Sequence, residues 1–201
     1  MSHPSSVHDA KARLREEMRG RRAALEEQAR AAAADAIARR AILIISALKF
    51  DAIGGYFAVR GEADPRPILA WAERTGITCA LPSVHGGYDL VFRRYRSGDP
   101  LHAGSFGIPS PAHDAPAITP DLLIVPLMAF DRTGARLGYG RGFYDRTIAH
   151  LRNHGVDAHL VGIAFAVQEV DAVPTEAHDA RMDFIVTEKE TIDLTVGKAK
   201  G

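Results

Sequence analysis

Residues 121–146 read DLLIVPLMAFDRTGARLGYGRGFYDR, and this stretch decides the fold. Its opening, LLIVP at 122–126, is a short unbroken apolar run, the pattern of a strand buried on both faces. Gly138, Gly140 and Gly142 then alternate, and Phe143-Tyr144-Asp145-Arg146 opens a helix predicted over 143–153. Strand, glycine cluster and helix in succession predict a largely parallel sheet flanked by helices. In such sheets the carboxyl end of a strand is where ligands bind. Glycines let successive backbone N–H groups converge on an anion, and the following helix N-terminus adds partial positive charge. Arg136 and Arg141 can supply full charges. The spacing matches neither the dinucleotide fingerprint, since Phe143 stands at its third glycine, nor the P-loop, which ends in Lys-Ser/Thr. A bare GxGxG is as readily a flexible turn as a phosphate cradle. Asp145 in the first helical turn tilts the balance, because a phosphate-bound Mg²⁺ would take an oxygen ligand there, although a carboxylate can also cap the helix.

Working outward, strands are expected at 52–59, 77–81, 160–165 and 184–187, a helix at 67–74 and an edge strand at 90–95. Residues 101–120, rich in proline, read as a long ordered loop, more often functional than decorative. Residues 9–48 are rich in Ala, Arg, Glu and Leu and predict two helices, with Gly20 a weak point. Leu14, Met18, Leu25, Ile37, Ile44 and Leu48 roughly follow a helical stripe. Residues 11–40 carry nine basic and five acidic side chains. A solvated face with ion pairs such as Arg13–Glu17 accounts for most of them. No repeat or linker divides the chain, so residues 1–201 are read as one α/β domain with an N-terminal helical segment, frayed at 1–8 and 195–201.

The 201 residues hold 25 Lys plus Arg and 25 Asp plus Glu, a formal charge of zero that disfavours nucleic acid or anionic lipid as partner. No basic start with an apolar core marks a signal peptide, and the longest apolar run, 41–48, falls far short of the roughly 20 residues of a membrane span. The single cysteine, Cys79, lies in an apolar run and reads as a buried, inert thiol. These features together predict a cytoplasmic protein. Glu176-Ala177-His178-Asp179 with Asp183 reads first as a polar turn, and second as a further metal or phosphate shell. His150 and His154 are four apart on the helix after the glycines, but no HExxH glutamate accompanies them and no zinc site is assigned.

With these residues in view, the chain resembles the 5-formyltetrahydrofolate cyclo-ligases, also called 5,10-methenyltetrahydrofolate synthetases, over about residues 11–187. Ala129-Phe130-Asp131 through Arg136-Leu137-Gly138-Tyr139-Gly140-Arg141-Gly142-Phe143-Tyr144-Asp145-Arg146 is similar to the family's AFD…RLGxGxGYYD signature. Lys11-Ala12-Arg13-Leu14-Arg15 resembles its KxxLR element, Glu62-Ala63-Asp64 its acidic segment after the first strand, and Glu176-Ala177-His178-Asp179…Asp183…Val186-Thr187-Glu188 its ExHD…D…TE ending. Four ordered matches are far more specific than one glycine loop.

The resemblance implies ATP- and Mg²⁺-dependent conversion of 5-formyltetrahydrofolate to 5,10-methenyltetrahydrofolate, with ADP and phosphate released, by a monomer or small homo-oligomer acting on small molecules. It implies that Lys11 and Arg15 reach the ATP phosphates, and that Arg136, Leu137, Gly138, Tyr139, Gly140, Arg141, Gly142, Phe143 and Tyr144 wrap them. Tyr139 through Phe143 would also line the folate side with Phe57 and Glu62. Asp145 and Asp183 match Mg²⁺ ligands, and Lys11, Arg15, Arg141 and Asp145 carry the catalytic burden. Three positions depart from the pattern. Arg141 stands where Gly or Lys is frequent, Leu127 where many members have Gly, and Ser110 where many have Glu. A non-catalytic folate or nucleotide binder is the alternative, but it need not keep Lys11, Arg15, Asp145 and Asp183 together. A sugar-phosphate isomerase would not need the two-cation helix.

Overall fold

The run 122–126 forms β6 (Leu122–Pro126), and every residue of it is buried. Its side chains alternate between the two faces of the sheet, as the pleat requires. Leu122 and Ile124 join one core and Leu123 and Val125 the other. Full burial of each contributes roughly 1.5–3 kcal/mol, which is why this strand lies at the sheet's centre.

A computed structural model describes residues 6–85 and 89–196. Around β6 it places a seven-stranded sheet. In chain order the other strands are β1 (Ala52–Gly54), β2 (Thr78–His85), β3 (Asp89–Arg94), β9 (His159–Ile163), β10 (Phe184–Val186) and β11 (Thr191–Asp193). Two short hairpins stand apart, β4 (His102–Ala103) with β5 (Pro109–Ser110) and β7 (Ala129–Phe130) with β8 (Arg136–Leu137). The sheet order is β11-β10-β9-β6-β1-β2-β3, parallel except for the edge strands β3 and β11. The helices are α1 (Val7–Ala23), α2 (Glu27–Ile45), α3 (Arg66–Arg74) and α4 (Phe143–Asn153). Helices α2 and α3 bury Ile37, Ala41, Ile45, Ile68 and Leu69 against one sheet face. Helix α4 buries Ile148 and Leu151 against the other. Helix α1 packs Met18 on Met128 and Leu137, beneath the β7–β8 hairpin.

Several sequence expectations change. The strand expected at 52–59 stops at Gly54, where a Cβ would lie 2.7 Å from the Phe92 ring. Beyond it the chain leaves the sheet and carries Tyr56 and Phe57 into the space above. Helix α1 runs through Gly20 and ends at Ala23, since the exposed Gly20 costs only about 1 kcal/mol; the break falls at 24–26. Far from fraying, Val7 and His8 belong to the first turn of α1, capped by Ser6 and Asp9 in a capping box. Residues 1–5 and 197–201 of the expected frayed ends lie outside the described residues. The 101–120 segment is a hairpin, a 3₁₀ turn at Ser105–Gly107 and a stretch that covers the outer edge of β3. There Arg94 N–H donates to Pro116 at 2.8 Å and Ile118 N–H to Phe92 at 2.8 Å, which closes an otherwise open edge. Cys79 is buried, and desolvation pushes its thiol up to about 11. No helix among the described residues is long and apolar enough to cross a membrane.

Candidate active site

The chain winds from β1 to β2 in one direction and from β6 to β9 in the other, so the order reverses between β1 and β6. Above the carboxyl ends of these strands lies a cleft of about 310 Å³, the position such a reversal creates. Pro126 from β6, Tyr56 and Phe57 from beyond β1, and Pro82 and Val84 from β2 form its floor and one wall.

The glycine loop forms a second wall. The β7–β8 hairpin folds it back, with Met128 N–H on the Leu137 carbonyl at 2.8 Å. Asp131 holds the hairpin turn, accepting from the N–H groups of Thr133, Ala135 and Val173 and from the Thr133 hydroxyl. Gly140 (φ +91°) and Gly142 (φ +65°) take left-handed conformations that admit little but glycine. Gly142 is the N-cap of α4 and offers no side chain to the first-turn N–H groups. Residues Arg136 through Asp145 all line the cleft. Arg136 is not a free cation, however. Its guanidinium is buried, 2.7 Å from Asp145 and bonded to the Ala180 carbonyl, and it locks the loop to α4. Arg141 is exposed, its Cζ 3.8 Å from the centroid of the Phe106 ring.

Helix α1 supplies the cations of the third wall. Lys11 and Arg15, one turn apart, both line the cleft together with His8. Arg15 Nε donates to the Gly138 carbonyl at 2.8 Å, and its guanidinium lies over Gly140, where a Cβ would sit 3.1 Å away. Lys11 Nζ lies 2.7 Å from both Glu176 and Asp179. Burial disfavours its ammonium, but the bonds to Asp179 and Glu176 outweigh this and raise its pKa. The 176–179 segment is thus the polar turn expected, with Asp179 N–H on the Glu176 carbonyl, and it also grips a cleft cation.

At the opposite end, Phe57 and the half-buried Glu62 line the cleft. Glu62 accepts from Val59 N–H at 2.8 Å. Desolvation pushes its carboxyl up, opposed by a hydrogen bond from Tyr139, the Val59 N–H and the charges of Arg22 and Arg60. Sequence reasoning missed Arg22, a buried guanidinium donating to the Tyr139 hydroxyl at 2.9 Å, and Phe106, which lines the cleft beneath Arg141. A hydrophobicity pattern cannot mark a buried arginine.

The expected Mg²⁺ pair is not assembled. Asp145 Oδ1 is taken up by Arg136 and by Ala180 N–H at 3.0 Å. Asp183 does not line the cleft; it precedes the amino end of β10, and its carboxylate accepts from Leu160 N–H at 2.8 Å. The two carboxylates are therefore held by different partners, and only Asp145 lines the cleft. Glu176, His178 and Asp179 bring ligand atoms within 4.8 Å of one another, with Lys11 already between the two carboxylates.

The sequence model of the 5-formyltetrahydrofolate cyclo-ligase family matches residues 7–188, which takes in every wall of this cleft. The chain belongs to this family. A 5-formyltetrahydrofolate cyclo-ligase of Haemophilus influenzae is 32% identical over 174 residues, covering 83% of this chain and 91% of that one. A cyclo-ligase of Escherichia coli is 33% identical over 138 residues, covering 66% and 75%. The solution structure of the Aquifex aeolicus 5,10-methenyltetrahydrofolate synthetase superposes with a TM-score of 0.76 at 29% identity, covering 95% of this chain and 96% of that one. The Mycoplasma pneumoniae synthetase, at 19% identity, shares the fold with a TM-score of 0.72. Among cyclo-ligase departures, Leu127 is buried in the second core, where Gly162 leaves room for it. Ser110 pairs with His102 in the β4–β5 hairpin and lines the cleft.

Proposed function

We propose that the protein converts 5-formyltetrahydrofolate to 5,10-methenyltetrahydrofolate at the expense of ATP, releasing ADP and phosphate. The observation that carries this reading is one cleft with two unlike ends that meet in residues 139–143. A cationic, amide-rich end is built from Arg15, Lys11 and the uncapped start of α4. The other end offers the Phe57 ring and the Glu62 carboxylate.

The difficulty of the reaction is an unreactive formamide. Its oxygen attacks the γ-phosphorus of ATP, the bond to the bridging oxygen breaks, and ADP leaves. The N10 amine then adds to the activated formyl carbon, loses its proton, and the C–O bond breaks to release phosphate. Such a sequence demands in-line positioning and neutralisation of charge more than a protein nucleophile. Arg15, already on the Gly138 carbonyl, and the exposed Arg141 are the cations that meet the triphosphate. Lys11 stays charged between its carboxylates and is available to phosphate by a short swing. Glu62 accepts from the donor-rich edge of the pterin, and Phe57 gives it an apolar wall. Mg²⁺ enters this reading as the counterion carried by ATP, since Asp145 and Asp183 do not form a site for it. The single, buried thiol fits a reducing, cytoplasmic setting.

The test is direct. Purified protein with 5-formyltetrahydrofolate, ATP and Mg²⁺ develops the methenyl chromophore, and omission of ATP abolishes it. A folded preparation giving no ATP-dependent chromophore removes the assignment.

A further inference from the structure

Arg22 is 5% exposed, in the last turn of α1. Burying a guanidinium is costly unless its donors are well used. Here one nitrogen donates to the Tyr139 hydroxyl at 2.9 Å, with Met128 Sδ at 3.6 Å, and a second donates to the Arg60 carbonyl at 2.9 Å. Arg22 therefore touches two segments that both line the cleft, the glycine loop and the turn that carries Glu62.

Both contacts are directional. A phenol that accepts from a guanidinium must turn its own proton elsewhere, and Tyr139 hydrogen-bonds to the Glu62 carboxylate. The Arg60 carbonyl belongs to a turn with Arg60 at φ +52° and Gly61 at φ +73°, closed by Glu62 N–H on the Val59 carbonyl at 3.1 Å. A left-handed arginine is an unfavourable conformation that surrounding bonds must hold.

We propose that Arg22 is a positioning residue for the folate end of the cleft. Its guanidinium orients the Tyr139 hydroxyl onto Glu62 and pins the strained turn that presents that carboxylate. The inference rests on the proposed folate reading of that end.

Several groups face Glu62. They are Arg22 from α1, Arg60 from its own turn, Tyr139 from the glycine loop, Tyr144 from α4 and Tyr56 from beyond β1, with the Asp64 charge also felt at Tyr56. The three phenols are raised by burial first and by the Glu62 charge second, so they stay neutral. The cations favouring an ionised Glu62 are then Arg22 and Arg60, and loss of Arg22 must shift its titration upward.

Binding of 5-formyltetrahydrofolate and, separately, of ATP is titrated calorimetrically across pH for the wild type, Arg22→Met, Arg22→Lys and Tyr139→Phe. Arg22→Met is expected to weaken folate binding about tenfold or more, the scale of a lost charged hydrogen bond, and to move its acid limb up by about one pH unit. ATP binding stays within about threefold. Arg22→Lys keeps the wild-type acid limb with part of the affinity, and Tyr139→Phe weakens folate binding with an upward acid limb. An unmoved acid limb in Arg22→Met, or equal losses for folate and ATP, overturns the proposal. If Arg22→Met does not fold, Arg22→Lys decides: an ATP loss equal to its folate loss overturns it. A wild type that binds folate without turning it over removes the assigned activity and leaves this binding test intact.

Discussion

Asp145 and Asp183 show how one residue type takes its role from its partners. Asp145 neutralises the buried Arg136, and removing one member of a buried pair strands the other at a cost of about 3–5 kcal/mol. Asp145→Ala is therefore expected to lower stability on that scale in chemical denaturation, with activity falling because Arg136 no longer locks the loop to α4. Asp183→Asn still offers a carbonyl oxygen to Leu160 N–H. Its KM for ATP is expected within about threefold of wild type; a tenfold rise would restore Asp183 to a metal site. The sequence marked Asp183 by its motif, but a motif orders residues along the chain and does not say at which end of a strand each one falls.

Among the elements, β6 was fully legible, because an apolar run between turn signals needs no context to be a buried strand. Helix α1 was legible as a helix, but its face was not. Its buried residues are Lys11, Met18 and Arg22, and a stripe of two cations and one methionine is invisible to a search for apolar period. The β7–β8 hairpin and β11 went unread because two- and three-residue strands exist only through their partners. The contact of Leu127, just past β6, with β9 has its own test. A Cβ on Gly162 would lie 2.8 Å from Leu127 Cδ1, so Gly162→Ala should cost about 1–3 kcal/mol by overpacking. In a Leu127→Ala background the same substitution should cost less than half as much, measured by urea midpoints in a double-mutant cycle. Equal costs in both backgrounds would show that the two side chains do not meet.

At the scale of the molecule, the reversal of strand order between β1 and β6 convenes the cleft, and Asp131 holds the hairpin that folds the glycine loop back as its wall. Burial pushes the Asp131 carboxyl up, but bonds from Thr133, Val173 and Ala135 outweigh this and hold it below its ordinary value near 3.8. A group depressed in the folded state stabilises above its unfolded pKa, and that contribution is lost as pH falls through the folded value. Thermal stability should therefore be steady near neutrality and fall as acid approaches and passes pH 4. Asp131→Asn should be less stable at pH 7 by about 1–3 kcal/mol and should show a shallower acid decline than wild type. A parallel decline in the two proteins would remove Asp131 from this account.

The amino-acid sequence by itself determined the α/β class, the central strand, the glycine loop before α4 and family membership, because those rest on local periodicity and on residues adjacent in the chain. Tertiary structure alone decided that Lys11 meets Glu176 and Asp179, that Arg136 is spent on Asp145, that Asp183 stands away from the cleft, and that Arg22 joins its two walls. Each of these contacts except Arg136–Asp145 spans dozens of residues of chain. Their partners are set by strand order and burial, which no local pattern encodes.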